Sequence, residues 1–134
     1  MIEEILKFTK ITFIVHFILG AIMAIVLWIP PIATPMFGMT YTADTGALSM
    51  ILAAASTGFT ISSLFGYMAK EWKEVKIVVV TEIVWLACFL IAIIINIAVF
   101  GLSAILLIIE GIVLLALFLL SYLQQQEVIK ELIK

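Results

Sequence analysis

Four long apolar runs dominate the chain, at residues 11–29, 46–69, 76–99 and 102–123, and polar residues gather almost only between and beyond them. Each run holds about the 20 apolar residues that a helix needs to cross hydrocarbon. The stretch Lys70-Glu71-Trp72-Lys73-Glu74-Val75-Lys76 is the one charged island between the second and third runs, and it reads as a short aqueous turn between two crossings. Pro30-Pro31 ends the first run, because proline lacks the backbone N–H and clashes with the preceding turn. Residues 30–45 (PPIATPMFGMTYTADT) are expected to form the longest loop, apolar enough to lie on the membrane surface, with Thr42, Asp44 or Thr45 capping the next helix. The link Val99-Phe100-Gly101-Leu102-Ser103 is tight, so the last two runs are antiparallel neighbours. Gly101 suits a left-handed cap there and Ser103 an N-cap.

Composition sharpens this picture. Of 134 residues, 66% are hydrophobic and 12% charged, against roughly 45–50% and about 25% in soluble domains. A chain of this size cannot bury so much apolar surface inside itself, so lipid is the expected solvent. The fold class that follows is all-α: one polytopic membrane domain over residues 1–134, an up-down antiparallel bundle of four transmembrane helices. The first run is too long for a signal-peptide core and lacks a small-residue cleavage motif, so it reads as a retained helix. Residues 1–10 mix Ile2, Ile5, Leu6 and Phe8 with Glu3, Glu4, Lys7 and Lys10, and begin the first helix at the interface. The C-terminal tail, 124–134, stays amphipathic: Val128, Ile129, Leu132 and Ile133 fall on one helical face, opposite Glu127, Lys130, Glu131 and Lys134.

Charge sets the expected orientation. Four crossings put both termini and the 70–76 turn on one side, and that side holds all seven basic residues: Lys7, Lys10, Lys70, Lys73, Lys76, Lys130 and Lys134. The positive-inside rule makes that side cytoplasmic, so the expectation is a multi-pass cell-membrane protein with both ends inside. Tyr67, Trp72 and Tyr122 then fall at the inner interface, and Trp28 and Tyr41 at the outer. So strong a bias argues against a dual-topology dimer of the small multidrug-resistance type. That family also carries its essential acid in the first helix, where this chain has none. The net charge of −2 and the scattered lysines leave no nucleic-acid footprint. The absence of Arg beside Ile-rich helices suggests an AT-rich prokaryotic genome.

Three ionisable groups fall inside the crossings: His16, Glu82 and Glu110. A charge at mid-bilayer costs at least ~2.5–3.5 kcal/mol, so each must face protein or water, or be neutral. His16 lies six residues past Lys10, and Glu82 six past Lys76. At about 1.5 Å per residue both sit about 9 Å above the inner boundary and can meet. Ser62, Ser63 and Thr81 fall near that level, and Glu110 near mid-membrane at the height of Thr57 and Thr60. Ala54, Gly58, Ser62 and Gly66 recur every fourth residue and form a small-residue stripe suited to close helix packing within the bundle or, secondarily, between copies. Cys88 reads as a small core hydrophobe, and a lone cysteine allows no intrachain disulfide.

No nucleophile motif, metal-ligand spacing, Gly-rich phosphate loop or cysteine pair is present, so no catalytic residue, metal or cofactor is expected. The function expected is therefore a non-enzymatic accessory, scaffold or binding bundle, with lipid around it and a further copy or a larger membrane complex as partner. The alternative is a small proton- or cation-coupled transporter or channel component using Glu82/His16 and Glu110. The first helix with Gly20 ending at Trp28 and Pro30, the small-rich second helix entering a charged turn, and the tight final hairpin together resemble the small four-helix membrane proteins of the DoxX-like group. That resemblance implies an up-down four-helix bundle and carries no functional residue.

Overall fold

The computed structural model describes residues 4–133, with side chains through Glu131. Met1, Ile2, Glu3 and Lys134, and the side chains of Leu132 and Ile133, lie outside the described residues, and with them part of the amphipathic pattern expected at both ends. The described chain is helical: α1 (Lys7–Leu27), α2 (Pro30–Met36), α3 (Ala43–Met68), α4 (Trp72–Ile95), α5 (Ile97–Phe100) and α6 (Ser103–Ile133). Four of these, α1, α3, α4 and α6, are long and apolar enough to cross a membrane. Outward surfaces of these helices are apolar too: Ile77, Ile95 and Leu106 are each more than 70% exposed. Between 22 and 28% of each candidate span is buried. A water-soluble bundle would carry polar residues at the remaining positions, so this is a multi-pass membrane protein.

Pro30 and Pro31 end α1 as expected, but the segment after them is not a loop. They occupy the first two positions of α2, where their missing N–H groups have no intrahelical partner to lose and their fixed φ suits the helix. Thr34 donates from Oγ1 to the Pro30 carbonyl (2.9 Å). Ala33, fully buried, packs with Leu27 and Ala53, so α2 folds back on α1 and α3. Gly38, at φ +71°, turns the chain out of α2, and a Cβ there would run into the Val99 carbonyl. Thr42 caps α3: its Oγ1 accepts from Thr45 N–H (3.2 Å), while Thr45 Oγ1 accepts from Thr42 N–H (2.8 Å).

The charged island is shorter as a turn than its charges suggest. α4 already begins at Trp72, and the Glu74 carboxylate accepts the N–H groups of Lys70 (3.0 Å) and Glu71 (3.1 Å) just ahead of it. Trp72 is not an interface belt residue. It is 1% exposed and tilted against Tyr122, within a cluster that includes Ile5, Phe13, Val75, Val79 and Phe118. At the other end α4 stops at Asn96, whose side-chain amide donates to the Ala92 carbonyl (2.9 Å), and the short α5 follows before Gly101. Ser103 does not cap α6. Its hydroxyl donates to the Met36 carbonyl and ties the start of α6 to α2. α6 then runs unbroken for 31 residues through the polar tail, or about 46 Å at 1.5 Å per residue, well beyond a hydrocarbon core of about 30 Å.

The helices meet through a few specific ties. α1 packs most extensively on α3, and α4 on α6. Thr12 and Ser121 share a buried hydroxyl hydrogen bond of 2.9 Å between α1 and α6. Gln125, 1% exposed, accepts from Leu6 N–H and donates to the Glu4 carbonyl, both at 3.0 Å, fixing the N-terminal segment to α6. α3 and α4 touch far less, and that weak seam shapes the site below. Cys88 is exposed on α4 rather than packed inside, because the buried line of that helix runs through Val79, Glu82, Leu86 and Ile93.

Candidate functional site

His16 and Glu82 come together where α1, α3 and α4 meet. His16 is buried on α1 because its line with Thr12 and Phe13 faces α3 and α6. One ring nitrogen, Nδ1, lies 2.6 Å from Ser63 Oγ on α3. The other, Nε2, lies 3.7 Å from Glu82 Oε2, which is too long for a direct hydrogen bond. Phe118 presses edge-on against the imidazole, with ring centroids 5.3 Å apart. Glu82 is fully buried on α4. Its Oε1 accepts from Ser62 Oγ at 3.3 Å, and its Oε2 has no hydrogen-bond partner. A buried acceptor left without a partner carries the desolvation cost of that group uncompensated, about 1–3 kcal/mol or more.

Two openings flank this pair. An interior cavity of about 250 Å³, open to the exterior beside Leu48 and Leu52, extends from His16 past Gly20, Thr60, Trp85 and Phe89 to Phe37 and Phe100 near the α2 and α5 ends. Glu110 and Ser56 stand on its wall, and the rest of the lining is mainly apolar. Glu110, half-buried on α6, lines the same cavity as Thr60. A second opening, a lateral cleft of about 310 Å³ between α3 and α4, is lined by Ala55, Gly58, Phe59, Ser62, Ile77, Val78, Thr81 and Glu82. Phe59 borders both openings and stacks on Trp85, centroids 4.9 Å apart at 22°.

The structure therefore divides the polar set named from the sequence. His16 and Glu110 line the interior cavity, whereas Ser62, Thr81 and Glu82 line the lateral cleft, and Ser63 anchors the imidazole between them. The small-residue stripe divides as well. Gly66 is buried against the Phe13 ring, Ser62 is half-buried, and Ala54 and Gly58 are exposed, with nothing within 4 Å of a Cβ built on Gly58. The face of α3 that packs is instead Gly46, Ser49, Ala53, Thr60, Ser63 and Gly66. The spacing of three and four along that face, ending in Gly66, was available in the sequence. The fourfold recurrence of small residues masked it. Trp85 shares a helical face with Glu82 in the sequence, but Phe59 carried no signal, because an aromatic in an apolar helix looks like ordinary packing.

Among the described residues no group of three or more His, Cys, Asp and Glu side chains comes together to hold a metal ion. No family model, no curated protein and no solved structure matches this chain.

Proposed function

We propose that this chain is a non-enzymatic binding bundle of the cell membrane that holds a small, largely apolar molecule carrying a basic nitrogen. In this reading the four long helices run up and down, both ends lie in the cytoplasm with the lysines, and lipid covers the isoleucine- and leucine-rich exterior. The layout shared with the DoxX-like group belongs to the same reading. One observation carries the ligand: the interior cavity of about 250 Å³ is lined mostly by apolar and aromatic side chains, with His16, Ser56, Thr60 and Glu110 as its few polar groups. Such a lining, apolar with a few convergent polar groups, is the usual form of a small-molecule site. Glu110 supplies the acceptor that would hold an ammonium, and Trp85 reports on occupancy.

The test compares 4-phenylbutylamine with 4-phenylbutanol, titrated against tryptophan fluorescence of the detergent-solubilised chain. Glu110→Gln is expected to weaken the amine about tenfold, the equivalent of 1.4 kcal/mol, and to leave the alcohol unchanged. Equal affinity of wild type and variant for the amine defeats the reading. A second reading, proton-coupled passage, is favoured by the His16–Glu82 approach of 3.7 Å at the inner end of the cavity. Amine uptake into proteoliposomes that follows a pH gradient and disappears in Glu82→Gln would select it.

A further inference from the structure

The interior cavity is covered at one end and open at its side. Three contacts hold α2 and the turn after it against α5 and α6, over the end where Phe37 and Phe100 stand. Phe37 meets Phe100 edge-on, with centroids 6.3 Å apart at 87°. The Gly38 turn lies so near α5 that a Cβ there would run into the Val99 carbonyl. The Ser103 hydroxyl donates to the Met36 carbonyl. The side is different. Leu48 and Leu52 are exposed, whereas every other lining residue is buried or half-buried. The mouth therefore lies on this face of α3. The 26 residues of α3 span about 39 Å at 1.5 Å per residue, against a hydrocarbon core of about 30 Å. Leu52 lies about 13.5 Å along the helix from Ala43. It stays within hydrocarbon even if all of the roughly 9 Å of excess length projects at the Ala43 end. The mouth accordingly faces acyl chains, not water, and its neighbours Met50 and Ile51 are exposed apolar residues as well.

Polarity changes along the cavity in the same direction. The mouth is leucine, and the polar groups His16, Ser56, Thr60 and Glu110 are all buried or half-buried. Glu110 is the one carboxylate of the lining, and no lysine borders it. A molecule that arrives through the mouth must first dissolve in the bilayer, and one that rests inside must offer Glu110 a donor. We infer that the ligand of the interior cavity is a single-chain amphiphilic amine taken sideways from the bilayer, its ammonium held inside at Glu110 and its alkyl chain leaving beside Leu48 and Leu52. With the lysines in the cytoplasm, the leaflet that supplies it is the outer one. The inference rests on the amine-binding reading above and adds to it the ligand's tail and its route. A chain lying in the mouth keeps its contact with hydrocarbon, so loading the site exposes no apolar surface to water. The ammonium meanwhile gains a charge-assisted hydrogen bond.

The test uses the full chain in phospholipid nanodiscs with two forms of dodecylamine, one carrying a photoactivatable diazirine near the nitrogen and the other at the far end of the chain. Labelled positions are read by peptide mass spectrometry. The near-nitrogen probe is expected to label the lining at 85–89 and 110–114, and the chain-end probe the mouth at 48–52. Glu110→Gln is expected to reduce near-nitrogen labelling of the lining about fivefold or more. Leu48→Trp combined with Leu52→Trp is expected to reduce it by a similar factor. Both positions are exposed, so the larger rings fill the mouth without loading the core. Ile51→Trp, exposed on the same helix but outside the lining, should leave labelling unchanged. Overturning results are the same labelled segments from both probes, or undiminished labelling of the lining in the double tryptophan variant. Phenylbutylamine, which has no tail to leave in the mouth, separates the two claims. If its Glu110-dependent binding persists beside either overturning result, the tail and the route fail and the cavity reading stands. If that dependence is absent, the cavity reading fails, and this inference with it.

Discussion

Gly66→Ala and Gly58→Ala change the same residue type in the same helix, eight positions apart, and they are expected to have opposite effects. At Gly66 an added Cβ would lie 2.6 Å from both Cε1 and Cζ of Phe13 and 2.8 Å from Cδ1. Carbon atoms prefer about 3.5–4.0 Å, so the ring has to retreat by about 1 Å. Phe13 is fully buried and already meets Phe118 edge-on, centroids 5.7 Å apart at 73°. Its retreat therefore presses on the ring that also flanks His16. Overpacking of this kind costs about 1–3 kcal/mol. At Gly58 the added methyl meets nothing, and removing the glycine's extra backbone freedom from a helix interior gains about 0.5–1 kcal/mol. That backbone gain is common to both sites in α3, so the two variants should differ by the overpacking cost, about 1–3 kcal/mol. Reversible unfolding in mixed micelles with rising sodium dodecyl sulfate, followed by tryptophan fluorescence, measures both on one scale. A Gly66→Ala chain within about 0.5 kcal/mol of Gly58→Ala would refute the reasoning, since it would mean that Phe13 is free to move. Gly58→Ala as damaging as Gly66→Ala would place a neighbour where the structure has open space.

Two further outcomes follow from the fold and its orientation. Gln125→Ala removes the side chain that satisfies both Leu6 N–H and the Glu4 carbonyl. Hydrogen exchange at the Leu6 amide should then accelerate at least about tenfold, with the mid-helix amides of α6 unchanged, and unchanged exchange at Leu6 would dismiss the tie. For orientation, single cysteines at Lys70 and Lys130 in a Cys88→Ser background should be shielded from a membrane-impermeant maleimide in intact cells and react after lysis, while one at Thr40 reacts in both. Reaction at Lys70 and Thr40 alike in intact cells would break the assumption that the lysines share the cytoplasmic side.

The positions of the four crossings were legible because hydrocarbon imposes a length and a composition that few other contexts demand, and α1, α3, α4 and α6 lie where the apolar runs lie. The meeting of His16 with Glu82 was also within reach, since a fixed rise per residue converts sequence distance from Lys10 and Lys76 into height. Height was all that this gave. Which of the possible faces of each helix packs inward was not decided, because in a chain this apolar almost every face looks fit for lipid and fit for a core alike. Cys88 and Trp72 exchanged their expected places for that reason: the cysteine faces outward, and the tryptophan is buried under Tyr122.

The chain itself determined that lipid is its solvent, how many times it is long enough to cross, and how far its polar side chains lie along each helix from the flanking charges, since these depend on residue-by-residue transfer into hydrocarbon and on helix rise. Tertiary structure alone decided that Gly66 packs while Gly58 stays open, that α2 is a helix folded back on its neighbours, and that Glu82 and Glu110 face different openings. Those outcomes turn on the rotation and spacing of whole helices, which follow from the fit of side chains such as Phe13, Phe59 and Trp85 against one another. No local pattern of hydropathy encodes such a fit.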